Sequence, residues 1–161
     1  MKSVKLQQVE RAVLELYPSL YRLAYSYVKN PDDAMDIVQE SAYKAILRAE
    51  EVKKQETIKS WLCRIVVNTS LDTLRKKRRE TTGLENMPDA GKEDAYEDAD
   101  LLRALEGLDE RERTVVTLRY FEDMKLSEIV SVTGENLSTV KSILYRSLKK
   151  LRVKLAEGES V

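Results

Sequence analysis

Residues 126–152, Leu-Ser-Glu-Ile-Val-Ser-Val-Thr-Gly-Glu-Asn-Leu-Ser-Thr-Val-Lys-Ser-Ile-Leu-Tyr-Arg-Ser-Leu-Lys-Lys-Leu-Arg, constrain this chain more than any other stretch. They divide into a short helical pattern ending at Thr133, a glycine at 134 and a longer basic pattern that Asn136 is suited to cap. The spacing predicts a helix-turn-helix, whose second helix can enter the DNA major groove.

On the second helix Leu137, Val140, Leu144, Leu148 and Leu151 form one stripe, expected to face the protein. Ser138, Thr139, Lys141, Ser142, Tyr145, Arg146 and Lys149 occupy the other face, where hydroxyls and cations suit base edges and phosphates. Between residues 137 and 154 there are six Lys or Arg and no acid, so this face attracts a polyanion. A solvated basic helix would show the same amphipathicity; the preceding helix and Gly134 favour DNA binding.

With 161 residues, the chain can form one ordinary domain or two small ones. Charged residues make up 35%, with only 5 glycines and 3 prolines, a balance that favours helices. No apolar run approaches the ~20 residues of a membrane span, and no signal-peptide core follows the N-terminus. Cys63 is the one cysteine and there is no histidine, so an intrachain disulfide is impossible and a zinc site is not expected. A reducing, cytoplasmic setting fits.

The zero net charge conceals a mosaic. Residues 1–79 carry 16 basic and 10 acidic side chains, residues 80–100 one basic and eight acidic, and residues 101–161 eleven and ten. The acidic stretch holds Gly83, Pro88 and Gly91 and few large apolar residues, and is expected to be a mobile linker. A loop packed within one domain is the alternative. The expected architecture is all-α: two small helical domains, residues 1–79 and 101–161, joined by this linker.

Three or four helices are expected in the first unit. The first covers about 7–28, with Val9, Val13, Leu16, Leu20, Leu23 and Ala24 inward and a kink at Pro18. The second runs from residue 31 or 32 to about 48, with Ala34, Ile37, Val38, Ala42 and Ala45 inward. The third starts near Thr57 and ends in Arg75-Lys76-Lys77-Arg78-Arg79, packing through Ile58, Trp61, Leu62, Ile65 and Val66. In the second unit Asp109 is a plausible N-cap for a helix to Tyr120.

Two constellations are candidate sites. Asp33, Asp36, Gln39, Glu40 and Tyr43 project from the second helix, where Asp36 and Glu40 at i, i+4 repel unless something positive faces them. A basic partner surface, a divalent metal as in a helical hydrolase, or plain solvated surface would each answer that pattern. The third helix joins Trp61 to Asn68 and Asp72 on one face and to the terminal basic run, which suits phosphates. Trp61 is more often core than a stacking platform.

Taken together these residues resemble the extracytoplasmic-function (ECF) group of bacterial sigma factors. The resemblance rests on Asp33-Ala-Met-Asp-Ile-Val-Gln-Glu-Ser, on Trp61-Leu-Cys-Arg-Ile-Val-Val-Asn68 followed by Asp72-Thr-Leu-Arg-Lys, and on Leu108-Asp-Glu-Arg-Glu-Arg, Arg119-Tyr-Phe-Glu and Thr139-Val-Lys-Ser. It covers about residues 8–153, the linker aside. There are departures: Ala42 replaces the usual aromatic, Glu135 the usual apolar turn residue, and Lys125 the usual helix cap. Leu137 is expected to anchor the turn in place of Glu135.

The resemblance implies an alternative sigma factor that binds RNA polymerase core and directs it to promoters, with no catalytic residue, cofactor, metal or small-molecule substrate of its own. A stand-alone helix-turn-helix regulator is the runner-up. By position, Asp33, Asp36, Gln39 and Glu40 would meet the clamp helices of the largest polymerase subunit. Residues 51–59, including Lys53 and Lys54, together with Trp61, Arg64, Asn68, Asp72, Arg75 and Lys76, would open and bind the −10 element of promoter DNA. Ser138, Thr139, Lys141, Ser142, Tyr145, Arg146 and Lys149 would read the −35 element. An anti-sigma factor, often membrane-anchored in the group, is an expected partner.

Overall fold

Each helix begins where its sequence supplies a cap. In a computed structural model, which describes residues 1–80 and 105–159 with side chains to Arg152, α1 spans Val4–Val28. It starts earlier than the apolar pattern implies because the Ser3 hydroxyl accepts from the Leu6 amide at 3.1 Å. The helix runs on through Pro18 as one element. It ends where Lys29, at φ 54°, turns left-handed and donates to Tyr25 O at 2.8 Å.

Asn30 caps α2 (Pro31–Leu47), with Pro31 in the first turn and Asp32 and Asp33 at the positive end of its dipole. Short 3₁₀ turns, Ala49–Glu51 and Gln55–Thr57, lead into α3 (Ile58–Glu80). Val9, Leu20 and Leu23 of α1 meet Ile37 and Val38 of α2 and Leu62 and Val66 of α3, all nearly inaccessible to water. Trp61 is half-buried against this core, in keeping with a packing role.

Past the undescribed residues, Asp109 forms a reciprocal capping box with Glu112 and opens α4 (Glu110–Val116). A π turn, Thr117–Phe121, carries the chain to α5 (Leu126–Thr133) and α6 (Leu137–Glu159). Gly134 sits between them at φ 77°, a left-handed conformation that a side chain strains, and its amide closes α5 on Val130 O at 2.9 Å. No strand occurs among the described residues. The linker expected over residues 80–100 lies, Glu80 apart, outside them, as does the expected start of the second unit near residue 101.

The two helical units are packed together. Val115, Leu118, Met124, Ile129 and Val132 join the buried cluster that α1, α2 and α3 build. Burying side chains such as Leu118 and Ile129 contributes roughly 1.5–3 kcal/mol each. A smaller cluster of Leu105, Leu108, Val116 and Leu151 lies at the far end of the second unit.

Candidate nucleic-acid interface

Asn136 caps α6 as expected, its side chain accepting from Thr139 N at 2.8 Å. Most of the predicted stripe faces inward, with Val140 and Leu151 buried and Leu144 packed on the core. Ile143 and Ser147 are buried beside it, while Leu137 is 45% exposed. Ile143 takes the inward place because it meets the core between α4 and α5, which position 137, at the mouth of the turn, cannot reach. Glu135 is instead held at the surface by Arg111, at 2.8 Å. Ser138, Lys141, Ser142, Tyr145 and Lys149 are exposed and Thr139 half-exposed, so they form one face toward solvent. Asn136, with no acid after it along the described side chains, puts the positive end of the helix beside that face.

Arg146 departs from that set. Its Nε donates to Glu112 Oε2 at 2.9 Å, and Lys150 Nζ donates to Oε1 at 2.8 Å. Glu112 is inaccessible to water. Burial pushes its carboxyl pKa upward, but donation from Lys150, the Asp109 amide and Arg146 outweighs that and pulls it down to about 2. The two cations therefore clamp α6 onto the N-terminal turn of α4. The i, i+4 spacing of Arg146 and Lys150, together with Glu112 three residues into a capping box, was the available signal.

On α2, Asp36, Gln39 and Glu40 are exposed, as a partner face requires. The positive groups that the spacing called for are partly supplied from within. Lys77 of α3 pairs with Asp33, and Glu40 shares a polar pocket of about 230 Å³ with Lys44, Asp72, Lys76 and Arg79. The acidic face and the basic end of α3 thus adjoin along one edge.

The α3 residues divide. Lys53, Lys54 and Lys76 are exposed. Asp72 pairs with Arg75 at 3.0 Å. Arg64 donates to Ser131 O of α5 at 3.0 Å, and Asn68 and Arg75 line a cavity of about 300 Å³ between α3 and the C-terminal helices. Further bonds cross the same seam: Lys59 Nζ to Glu122 O at 2.6 Å, Arg78 to Glu110 at 2.7 Å, and Arg22 to Glu122 Oε1 at 3.5 Å. Glu122 is itself buried, with its second oxygen unpartnered. Burial also pushes the Cys63 thiol up to about 12, aided by the Glu122 charge, which removes it as a nucleophile.

Comparison with known proteins identifies the family. Residues 12–80 match the family model for sigma-70 region 2, and residues 98–151 that for sigma-70 region 4. Over 143 residues the chain is 51% identical to the RNA polymerase sigma factor SigV of Bacillus subtilis, covering 86% of both proteins. The chain is an RNA polymerase sigma factor of the ECF group. It is also 31% identical to the sigma-E factor of Streptomyces coelicolor over 152 residues, covering 92% of this chain and 86% of that one.

Two solved structures share the fold of this sigma factor. The Bartonella quintana sigma factor RpoE, crystallised with the anti-sigma factor NepR, superposes with a TM-score of 0.80 at 22% identity, covering 91% of this chain and 96% of that one. CnrH, solved in complex with the cytosolic domain of CnrY, gives 0.71 at 22% identity, with 92% and 88% covered. The region 2 match takes in α2 and α3 of the sigma factor, hence the acidic face and the Trp61–Arg75 surface; the region 4 match takes in α4, α5 and the exposed face of α6. Among its described residues no helix is long and apolar enough to cross a membrane.

Proposed function

We propose that this sigma factor divides promoter recognition between its two helical units, with residues 1–79 for polymerase core and the melted −10 element and residues 101–161 for the −35 element. The exposed face of α6 carries the reading. It presents hydroxyls and cations from one helix, with its N-terminus free, the arrangement that major-groove contact requires. Ser138, Thr139, Ser142 and Tyr145 contact base edges; Lys141 and Lys149 contact phosphates. Asp36, Gln39 and Glu40 dock on the clamp helices of the largest polymerase subunit, with Asp33 at the margin. Lys53, Lys54, Asn68, Arg75 and Lys76 engage the opened −10 strand, and Arg64 joins them once released from α5. The polymerase supplies the chemistry, so the site of action is the cytoplasm. An anti-sigma factor, membrane-anchored or soluble, is the expected regulator; the family supports that partner.

The packed arrangement must open for this to happen. Elements at −10 and −35 lie about 25 base pairs apart, roughly 85 Å of duplex at ~3.4 Å per pair. A compact chain of 161 residues has a radius of gyration near ~15 Å and so spans only about 40 Å. Opening separates the apolar contact through Leu118 and Ile129, and the incompletely satisfied polar bonds around Glu122 lower its cost.

Transcription of fragmented host DNA by core polymerase with and without the protein tests the reading. Start sites that appear only with the protein and share paired upstream elements support it; their absence on every fragment counts against it.

A further inference from the structure

A cavity of about 300 Å³ lies where the two helical units meet, and both units line it. Its apolar lining comes from Leu71 and Leu74 of α3, Val115 of α4, Val132 of α5 and Ile143 of α6. Its polar lining is of two kinds. The Thr114 and Thr133 hydroxyls already donate to Glu110 O and Ile129 O, at 2.7 and 2.8 Å. Tyr27 and Asn68 make no side-chain hydrogen bond among the described residues, although Tyr27 is only 4% exposed. Three guanidiniums, of Arg75, Arg78 and Arg111, border the same space against two carboxylates, of Glu110 and Glu135. Arg78 and Arg111 pair with those two, while Arg75 pairs with Asp72, which lies outside the lining. The lining therefore carries one positive charge in excess, beside a buried phenol and an amide that have no partner.

We infer that this cavity binds a small amphipathic carboxylate, and that the bound molecule holds the two units together and keeps the sigma factor inactive. The inhibitory part rests on the reading that the units must part; the binding site does not. The volume is at the small end for ligand pockets, with room for a short alkyl chain or one ring. A peptide helix, 10–12 Å across with its side chains, is too wide for it. The leucine, valine and isoleucine walls gain contacts from an apolar body that the packed units leave unmade. A carboxylate answers the excess positive charge and accepts from the Tyr27 hydroxyl and the Asn68 amide. Burial pushes the Tyr27 phenol above its ordinary pKa, so it stays protonated and able to donate. Because α1 and α3 supply one part of the lining and α4, α5 and α6 the other, the complete site exists only in the packed form. A ligand that binds one form alone draws the population to it. It would also cover Asn68 and Arg75, two of the side chains assigned to the opened −10 strand.

The test uses the full chain with octanoate as the probe and octylamine, of equal chain length and opposite charge, as its control. Calorimetry should show one saturable site for octanoate and at least tenfold weaker binding of octylamine. Tyr27→Phe keeps the ring, removes the hydroxyl and should weaken octanoate about tenfold. Leu74→Trp fills the cavity from a half-buried position and should abolish binding; should it melt early, Tyr27→Phe decides alone. In transcription with core polymerase, octanoate mixed with the sigma factor first should cut promoter-specific product. Added after open complexes have formed, it should not, and Tyr27→Phe should need about tenfold more octanoate for the same loss. Absence of saturable binding, equal binding of octylamine, or undiminished binding by a folded Leu74→Trp or by Tyr27→Phe overturns the site. Saturable binding by the wild type with transcription untouched keeps the site and overturns its inhibitory role, and with it the need for the units to part.

Discussion

Arg146 and Glu112 are tied across two helices, Nε to Oε2 at 2.9 Å, so that a cation on the DNA-facing helix spends its directional bond on a buried carboxylate. Half of the Arg146 side chain remains exposed. Its first role is to fix the angle at which α6 leaves the turn. Arg146→Ala is expected to lower stability by about 2 kcal/mol, the worth of a charged hydrogen bond, with Lys150 left to hold Glu112. It should weaken −35 duplex binding by a similar factor on every sequence. Denaturant unfolding and a competition series of −35 variants measure both. Relaxed preference at one base pair with undiminished stability would restore Arg146 to base reading.

Glu112 gives this clamp a pH signature. Its carboxyl is held at about 2 in the folded chain, below the ~4.3 of a free glutamate. A depressed folded value means that the stabilisation is complete above the unfolded pKa and is lost as pH falls through the folded one. Glu112→Gln should therefore cost roughly 1.5–3 kcal/mol near neutrality, the worth of a charged hydrogen bond, because Arg146 and Lys150 stay half in water when the charge is removed. The gap between wild type and variant should narrow from about pH 4.5 down to about 2. Unfolding curves across that range check it; a gap independent of pH would show that the carboxylate charge is not what matters.

Much of this was legible in the sequence for identifiable reasons. Asp109, Asn136 and Gly134 announce helix ends because caps and left-handed turns are local chemistry. The start of α1 was missed because Ser3 precedes the apolar pattern it caps. On α6 the exposure of Leu137 and the burial of Ile143 were missed because periodicity alone does not fix the edges of a stripe; the burial of Ile143 depends on where α4 and α5 stand. The residues chosen on α2 and α3 are exposed apart from Asp33 and Trp61, which are half-buried. Their internal partners, Lys77 on Asp33 and Ser131 on Arg64, join residues 44 and 67 positions apart. Sequence spacing carries no signal for contacts of that range.

The seam through Arg64 and Ser131 makes opening testable. Arg64→Cys with Ser131→Cys, joined by a short reducible bifunctional thiol reagent, should hold the units together. Buried Cys63, its thiol pushed up to about 12, should not compete. The linked protein is expected to lose promoter-specific transcription while still binding a −35 duplex, since the α6 face stays exposed. Reduction should restore most of the activity that the same double variant shows unlinked. Full transcription by the linked protein would contradict the need to open.

On the acidic face, internal pairing predicts an order of effects. Asp36 and Gln39 are exposed and have no partner among the described residues, whereas Asp33 is paired with Lys77. Asp36→Arg should weaken core polymerase binding about tenfold or more, a loss of ~1.4 kcal/mol. Asp33→Asn should weaken it less, because its charge is already answered, and should instead loosen the end of α3. Titration of labelled protein against core polymerase ranks the two variants, and equal losses would place Asp33 at the centre of the contact.

Lys141 and Lys149 share the exposed face of α6 with Tyr145, but their chemistry sets different expectations. A lysine on phosphate releases a counterion, so Lys149→Ala should reduce binding on all sequences and flatten the salt dependence by about one unit of slope. Tyr145 is 75% exposed and carries no charge. Its replacement by Phe should leave the salt slope unchanged and alter preference at one −35 position, by roughly 1–3 kcal/mol if its hydroxyl bonds a base edge. Binding isotherms at several salt concentrations on a small panel of −35 duplexes separate the two behaviours. A Tyr145→Phe variant that changes the slope, or a Lys149→Ala variant that changes the preferred base, would interchange the roles assigned to them.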